Sequence, residues 1–351
     1  MKIAIHHTPH SFSERWIDYC KEKGIPYKIV NAYDSDIVKQ VEDCDAFMWH
    51  HHHADYRDAL FAKQLLYSLE TGGKKVFPDF HTGWHFDDKV GQKYLLEAIG
   101  APLVPSYVFY TKQEALDWVD KTSFPKVFKL RGGAGAANVR LVHSKSEAKR
   151  LVRKAFGRGF TQFDRWGYFK ESLSKWRRGK APFIEVCKGV ARLFISTKFA
   201  RFHAREKGYA YFQDFIPNQK FDVRLIVINQ EKAYGLKRLV RKGDFRASGS
   251  GQYQYDTIDN MTLKTAFEVA KKLNLQSVAF DFVYNEKNLP LIIEMSYCFG
   301  TTGSGKCRGY WDKDLNYHEE HFNSQGWMVD EMLKYLRIEN KKSDVAIESD
   351  K

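Results

Sequence analysis

Two carboxylates stand where an apolar strand has little use for them. Asp281 lies in the run VAFDFVY and Glu294 in LIIEM, and only the turn Asn285-Glu286-Lys287-Asn288 and its flanks separate the two runs. Alternating side-chain direction along a strand surrounds each acid with apolar neighbours. A carboxylate in such a setting needs a cation or a metal, because an unpaired charge taken from water is costly. A magnesium ion shared with nucleotide phosphates would satisfy both, since it takes hard oxygen ligands and is held by one or two carboxylates plus phosphate. The alternative is a pair of solvent-facing acids on one polar face.

The cations come next. Lys129 lies inside the strand-like run PKVFKL just before the small-residue loop Gly132-Gly133-Ala134-Gly135-Ala136-Ala137, and Lys89 follows Asp87-Asp88 at the head of a helical run. Lysine beside a glycine-rich loop can neutralise phosphate oxygens while backbone amides cradle them. Arg224 interrupts the apolar run FDVRLIVI, which asks for a fixed anionic partner, and Lys237, Arg238, Arg241 and Arg246 follow. Such preorganised positive charge is what phosphoryl transfer and a tetrahedral adduct require; a wet strand face is the alternative.

Other strings are weaker. GTTGSGK at 300–306 has the spacing of a phosphate-binding loop, but Cys307 stands where Ser or Thr is needed and no apolar helix follows. His50 to His53 are consecutive, so at most two of them converge on one ion if the run is a strand. Some of His7, His51 and His85 are candidates to line a substrate pocket, against the commoner alternative of hydrogen-bonded structural histidines, and Trp311, Asp312 and His318 suggest either an acceptor site or a surface loop.

The elements that must carry these groups read as α/β. Up to Pro78, β-branched runs alternate with helical ones, the pattern of a parallel sheet, and no GxGxxG follows the first strand. A helix over 87–100 stops at Gly100. PKVFKL and NVRLV form a hairpin around the glycine loop; YFQDFI, FDVRLIVI, KAYGLKRLV, a helix over 261–273, SVAFDFVY and LPLIIEM make the third part. The expected divisions are an N-terminal parallel-sheet lobe over 1–86, a linker helix and central lid region with a basic insertion over 87–212, a C-terminal lobe over 213–338, and a tail over 339–351.

A chain of 351 residues with 15% aromatic content can bury several cores. Five scattered cysteines suggest neither a disulfide framework nor zinc, and no apolar stretch spans a bilayer, so the cytoplasm is the expected location. The net charge of +13 is concentrated: between Lys145 and Lys207 there are 18 Lys and Arg against 5 Asp and Glu. That segment suggests a polyanionic partner, a single-stranded nucleic acid or a phosphorylated glycan precursor among them, against the plainer alternative of a solvated face.

Taken in order, DDKxxxK, FPKVFKLRGGAGAANV, FQDFIPNQKFDVRLIVI, LKRLVRKGDFRASGSG and VAFDFVYNEKNLPLIIEMS resemble the ATP-grasp superfamily from about Asp87 to Gly303. The stretch from Gln213 to Ser296 is most similar to the ligases that add glutamate to ribosomal protein, with glutathione synthetase-like carboxylate-amine ligases as relatives. The resemblance implies a three-lobed ATP-grasp fold and the cofactors ATP and Mg2+, with Mn2+ as a substitute. It implies that Lys89 and Lys129 contact phosphates, that Gly132, Gly133, Gly135 and Ala136 belong to a lid, and that Asp214, Phe215 and Ile216 hold adenine with Asp222 near the ribose. Arg224, Arg238 and Arg246 would face phosphates and the activated acyl group, and Asp281, Glu294 and Ser296 would bind metal. Ser296 stands where asparagine is usual, and Asn138 where glycine is common. The implied activity joins an acid to an amine through an acyl phosphate; an amino acid, a peptide, a protein tail or another small-molecule acid all fit, and the basic segment adds a sugar acid of a glycan to these. Kinase-type or thioester-forming ATP-grasp chemistry and a non-catalytic polyanion-binding scaffold are the rivals.

Overall fold

The computed structural model describes residues 1–133, 138–161, 165–177, 179, 181–194, 204–241 and 243–334. It is built on three sheets. The first is parallel, in the order β2-β1-β3-β4, from β1 (Ile3–His6), β2 (Tyr27–Val30), β3 (Ala46–Trp49) and β4 (Lys75–Phe77). Both faces are covered, as continuous apolar strands demand. Ala4, Phe47 and Trp49 pack under the helix Tyr56–Thr71, while Ile3, Ile5 and Met48 face the helix Phe12–Lys23 and the third sheet. Ser11 caps the helix Phe12–Lys23 through the amide of Ser13, and Gly24 ends it in the left-handed region.

The second sheet is antiparallel, β5-β8-β6-β7, from β5 (Ser106–Phe109), β6 (Lys126–Lys129), β7 (Val139–Val142) and β8 (Ala210–Asp214). The helices Lys112–Lys121 and Lys145–Ala155 cover one face around Phe128 and Phe212. The run YFQDFI, read from the sequence with the third part, is thus a strand of the second sheet: its alternation identifies a strand but not its partners, and pairing with β5 and β6 places Gln213 beside Lys129.

The third sheet runs β13-β12-β9-β10-β14-β15, with β11 (Tyr253–Gln254) on β10. Its strands are β9 (Phe221–Ile228), β10 (Lys232–Leu239), β12 (Ser277–Tyr284), β13 (Pro290–Ser296), β14 (Tyr310–Asp312) and β15 (Tyr317–His318). The helix Asn260–Lys272 covers one face around Phe267, Phe280 and Phe282; Tyr297, Ile226, Tyr234 and a helical stretch over 324–334 join the first sheet on the other. Gln276 ties the two together, accepting from the Asp79 amide and donating to the Val76 carbonyl, both at 2.9 Å.

Several buried histidines lie at that junction. His50 stacks on Phe12 at 3.7 Å, and His51 lies against Phe86 and Tyr297. Burial holds His6 near 4 and His50 and His85 near 3, and His51 well below its ordinary value. Unfolding returns these rings to about 6.5, so below that pH the unfolded chain binds more protons than the folded one. Their contribution is intact above pH about 6.5 and is lost as pH falls toward the folded values. Denaturant midpoints are therefore expected to drop between about pH 7.5 and about pH 5.5; a flat profile would show that the rings are protonated within the fold.

Candidate active site

The register of the third sheet places three charges in one row. Asp281 on β12 lies directly between Glu294 on β13 and Arg224 on β9, and Asp222, two residues along β9, opposes Arg238 on β10. Directly opposed residues share a face. Arg224 donates through Nε and Nη2 to the two Asp281 oxygens at 2.8 and 2.9 Å, and Arg238 grips Asp222 in the same two-pronged way at 2.6 and 2.7 Å. The Arg238 Nη2 also reaches Asp281 Oδ2 at 2.7 Å, so four side chains form one chain of ion pairs. Burial alone would raise the Asp281 carboxyl, but Arg224 and Arg238 outweigh it and hold the group well below the usual carboxylate range. For Asp222 burial wins, and its pKa lies above the ordinary value despite Arg238.

The helix Lys89–Ala98, capped by Asp88, delivers Lys89 to Glu294 at 3.1 Å. Desolvation disfavours this ammonium, yet Glu294 and Asp87 more than offset it and raise its pKa. Lys89 Nζ also donates to the Gly133 carbonyl at 2.8 Å, while the Gly133 amide donates to Asp87 Oδ1 at 2.7 Å. The amide and the carbonyl of one residue are thereby both held, which fixes the root of the glycine loop. Gly133 has φ of 102°, and a Cβ there would meet the Asn138 side chain at 2.8 Å. The sequence flagged Lys89 and missed Asp87 as its partner; the doubled acid before the helix was the available signal.

Lys129, at the end of β6, is buried and donates to Gln213 Oε1 at 2.5 Å. Burial brings its pKa down to about 8. Gln213 was also missed, because nothing in FQDF distinguishes it from a polar edge residue. Asp214 follows it, ion-paired with Lys126 at 2.6 Å, and Phe215 meets Phe245 edge-on at 6.0 Å.

These groups line a cleft between the second and third sheets with room for about 410 Å3. Lys89, Lys129, Gly133, Asp214, Phe215, Ile216, Asp222, Arg224, Arg238, Arg246, Asp281, Glu294 and Ser296 all border it. Gly132 borders an adjoining pocket of about 370 Å3 with His51, His52 and His53; Gly135 and Ala136 lie outside the described residues. Three placements differ from expectation. Arg224 and Arg238 are committed to Asp281 and Asp222, since neighbouring strands bring acid and base face to face. Arg246 forks onto Asp244 at 2.7–3.0 Å. Asp222, expected near the ribose, borders the cleft with both its oxygens taken by Arg238.

His7 is exposed and His85 lies in the core, and neither borders the cleft; His52 and His53 do. GTTGSGK forms one helical turn, Thr301–Ser304, running into β14, so it lacks the helix of a phosphate loop. Asp312 and His318 pair at 2.9 Å across the β14–β15 hairpin, with Trp311 packed on Tyr317.

Among the described residues no three His, Cys, Asp or Glu side chains cluster as a metal site. Asp281, Glu294 and the Ser296 hydroxyl, which share a face, nevertheless fit a hard cation that takes part of its shell from phosphate and water. The crevice is apolar toward Val104, Val127 and Ile216 and charged toward the acids, the polarity a purine nucleotide presents.

Two family models match the chain: the RimK-like ATP-grasp domain over residues 203–312, and the ATP-binding domain of the carbamoyl-phosphate synthase L chain over 88–185. No curated protein matches it in sequence. Solved structures share its fold at low identity. A RimK domain ATP-grasp protein from Sphaerobacter thermophilus is 15% identical with a TM-score of 0.54, over 85% of this chain and 91% of that one. A D-cycloserine synthetase is 14% identical with a TM-score of 0.58, over 95% and 99%. The D-alanine–D-alanine ligase of Bacillus anthracis is 14% identical with a TM-score of 0.55, over 97% and 99%.

Asp281→Ala leaves Arg224 without its carboxylate while Arg238 keeps Asp222. It is expected to lower the unfolding free energy by about 3 kcal/mol, the lower end for breaking a buried pair. An unchanged urea midpoint would mean that these ions are solvated.

Proposed function

We propose that this chain, a member of the ATP-grasp superfamily, is an ATP-dependent ligase that activates a carboxylate as an acyl phosphate and joins it to an amine. The observation that carries the reading is the facing of Lys89 and Lys129 toward the Asp281–Glu294 pair across one cleft. Phosphoryl transfer needs positioning and charge neutralisation more than covalent help from the protein, and the cleft offers that without a nucleophilic side chain.

In this reading the nucleotide lies with its base against Phe215 and Ile216 and its phosphates toward Lys89, Lys129 and the amides of the glycine loop. Asp281, Glu294 and Ser296 would hold magnesium, which when bound neutralises phosphate charge. The γ-phosphoryl group passes to an oxygen of the acid, releasing ADP. The amine nitrogen then attacks the acyl carbon, phosphate leaves, and a proton is lost from nitrogen. Arg224 and Arg238 act from the floor of the cleft, keeping Asp281 ionised, and Arg246, paired with Asp244 in the loop beyond β10, lends positive charge to the same cleft. The D-alanine–D-alanine ligase and the D-cycloserine synthetase support an acid and an amine as the partners.

A screen for ATP-dependent phosphate release over pairs of acids and amines, with hydroxylamine present, tests this. Acyl hydroxamate is expected with the correct acid, and none is expected from Glu294→Gln. Phosphorylated hydroxyl product without hydroxamate would replace the reading with a kinase-type one.

Lys129 supplies a second test. An ammonium with a pKa near 8 grips phosphate only when protonated, so ATP affinity is present below that pH and falls as pH rises through it. Lys129→Met is expected to weaken ATP binding by about 1.5–3 kcal/mol and to flatten this pH dependence. Calorimetric titrations of wild type and variant on both sides of pH 8 give the comparison, and parallel profiles would remove Lys129 from the phosphate site.

A further inference from the structure

The helices Arg165–Arg177 and Phe183–Phe194 pack against each other as a hairpin. Its inner seam is closed: Gly189 lies on Phe169 and Ser172, and a Cβ there would come within 3.3 Å of the Phe169 backbone. Val186 and Ser172 are buried in the same seam, and the Arg192 guanidinium covers the Tyr168 ring at 4.6 Å. The outer face is apolar and open. Phe183, Ile184, Cys187, Val190 and Ala191 recur at helical spacing and are all exposed, Phe183 and Ile184 at 57% each. Trp176 extends this face from the other helix, meeting Phe183 edge-on at 5.3 Å. A monomer does not gain by wetting an aromatic pair and two aliphatic side chains at one tip.

Charge completes the pattern. Residues 165–194 contain eight Lys and Arg against two Glu, and Arg177 and Lys188 are exposed beside the apolar tip. Large apolar side chains with tryptophan at one edge and cations around it suit the boundary between anionic headgroups and acyl chains. Neither helix is long enough to cross a bilayer, so the fit is to its surface. A single-stranded nucleic acid would use aromatic faces in a charged groove, whereas Ile184 and Val190 offer no ring on which a base can stack.

We propose that this hairpin is a peripheral membrane anchor that lays the Trp176–Phe183–Ile184 tip into the surface of an anionic lipid bilayer. Binding is reversible, because one small apolar tip with a basic surround falls short of permanent insertion. The anchor is separate from the nucleotide cleft and stands or falls independently of the ligase reading.

The test uses the full chain and vesicles of phosphatidylcholine with or without phosphatidylglycerol. Sedimentation is expected with the anionic vesicles, weakening as salt is added. The triple variant Trp176→Ser, Phe183→Ser, Ile184→Ser is expected to bind about tenfold or more weakly while retaining ATP affinity. Cys187 is the exposed thiol among the described cysteines, so a polarity-sensitive label there is expected to report an apolar environment on vesicle addition in the otherwise unaltered protein. The proposal is overturned if the protein ignores anionic vesicles, if the triple variant binds them equally, or if this face instead pairs two copies of the chain or binds single-stranded RNA with no vesicle binding.

Discussion

An aspartate in the middle of an apolar sheet can stay ionised only if its neighbours are fixed cations, and the arrangement of the cleft follows from that requirement. Asp281 receives Arg224 from one adjoining strand and Arg238 from the strand beyond, while Glu294 on its other side receives Lys89 from a helix of a different layer. Charges in such a row are stable in company and costly alone. The same row presents two acids to the crevice that Lys89 and Lys129 also border, so the interactions that keep the third sheet intact also set the chemistry of the cleft.

Three layers must meet for this to work. The third sheet brings the acids, the second brings Lys129 and the root of the glycine loop, and the helix Lys89–Ala98 brings Lys89 to both through Glu294 and the Gly133 carbonyl. Lys89 therefore joins the root of the glycine loop to the acid floor. The paired helices at 165–194 stand outside this arrangement and use different chemistry, an open apolar tip in place of a closed polar floor.

Much of this was legible in the chain. The apolar runs around Asp281, Glu294 and Arg224 mark strands whose charges must be partnered, and Lys129 before a glycine loop marks one strand of a hairpin; those are local properties of a strand or a turn. Strand partnership was not legible: YFQDFI alternates like any strand, and only pairing with β5 and β6 assigns it to the second sheet. Nor was the choice of counter-ion. Arg224 and Arg238 asked for anions, and the anions are Asp281 and Asp222 across the sheet, a matter of register that spacing along one strand does not reveal. The helical run that follows β2 extends only over Ile37–Gln40, and Asp43, just beyond it, pairs with Lys2 at 2.6 Å and Lys28 at 3.1 Å. His85 reads as a polar residue near a site and is a core residue, because burial depends on what the fold stacks above it.

The most direct test of the central claim is a crystal structure of the protein with magnesium and a non-hydrolysable ATP analogue. The expected result is a triphosphate touching both Lys89 and Lys129, with metal density between it and the Asp281 and Glu294 carboxylates and the base against Phe215 and Ile216. A nucleotide bound elsewhere, or one in this cleft with Asp281 still locked between its arginines and no metal beside Glu294, would contradict it.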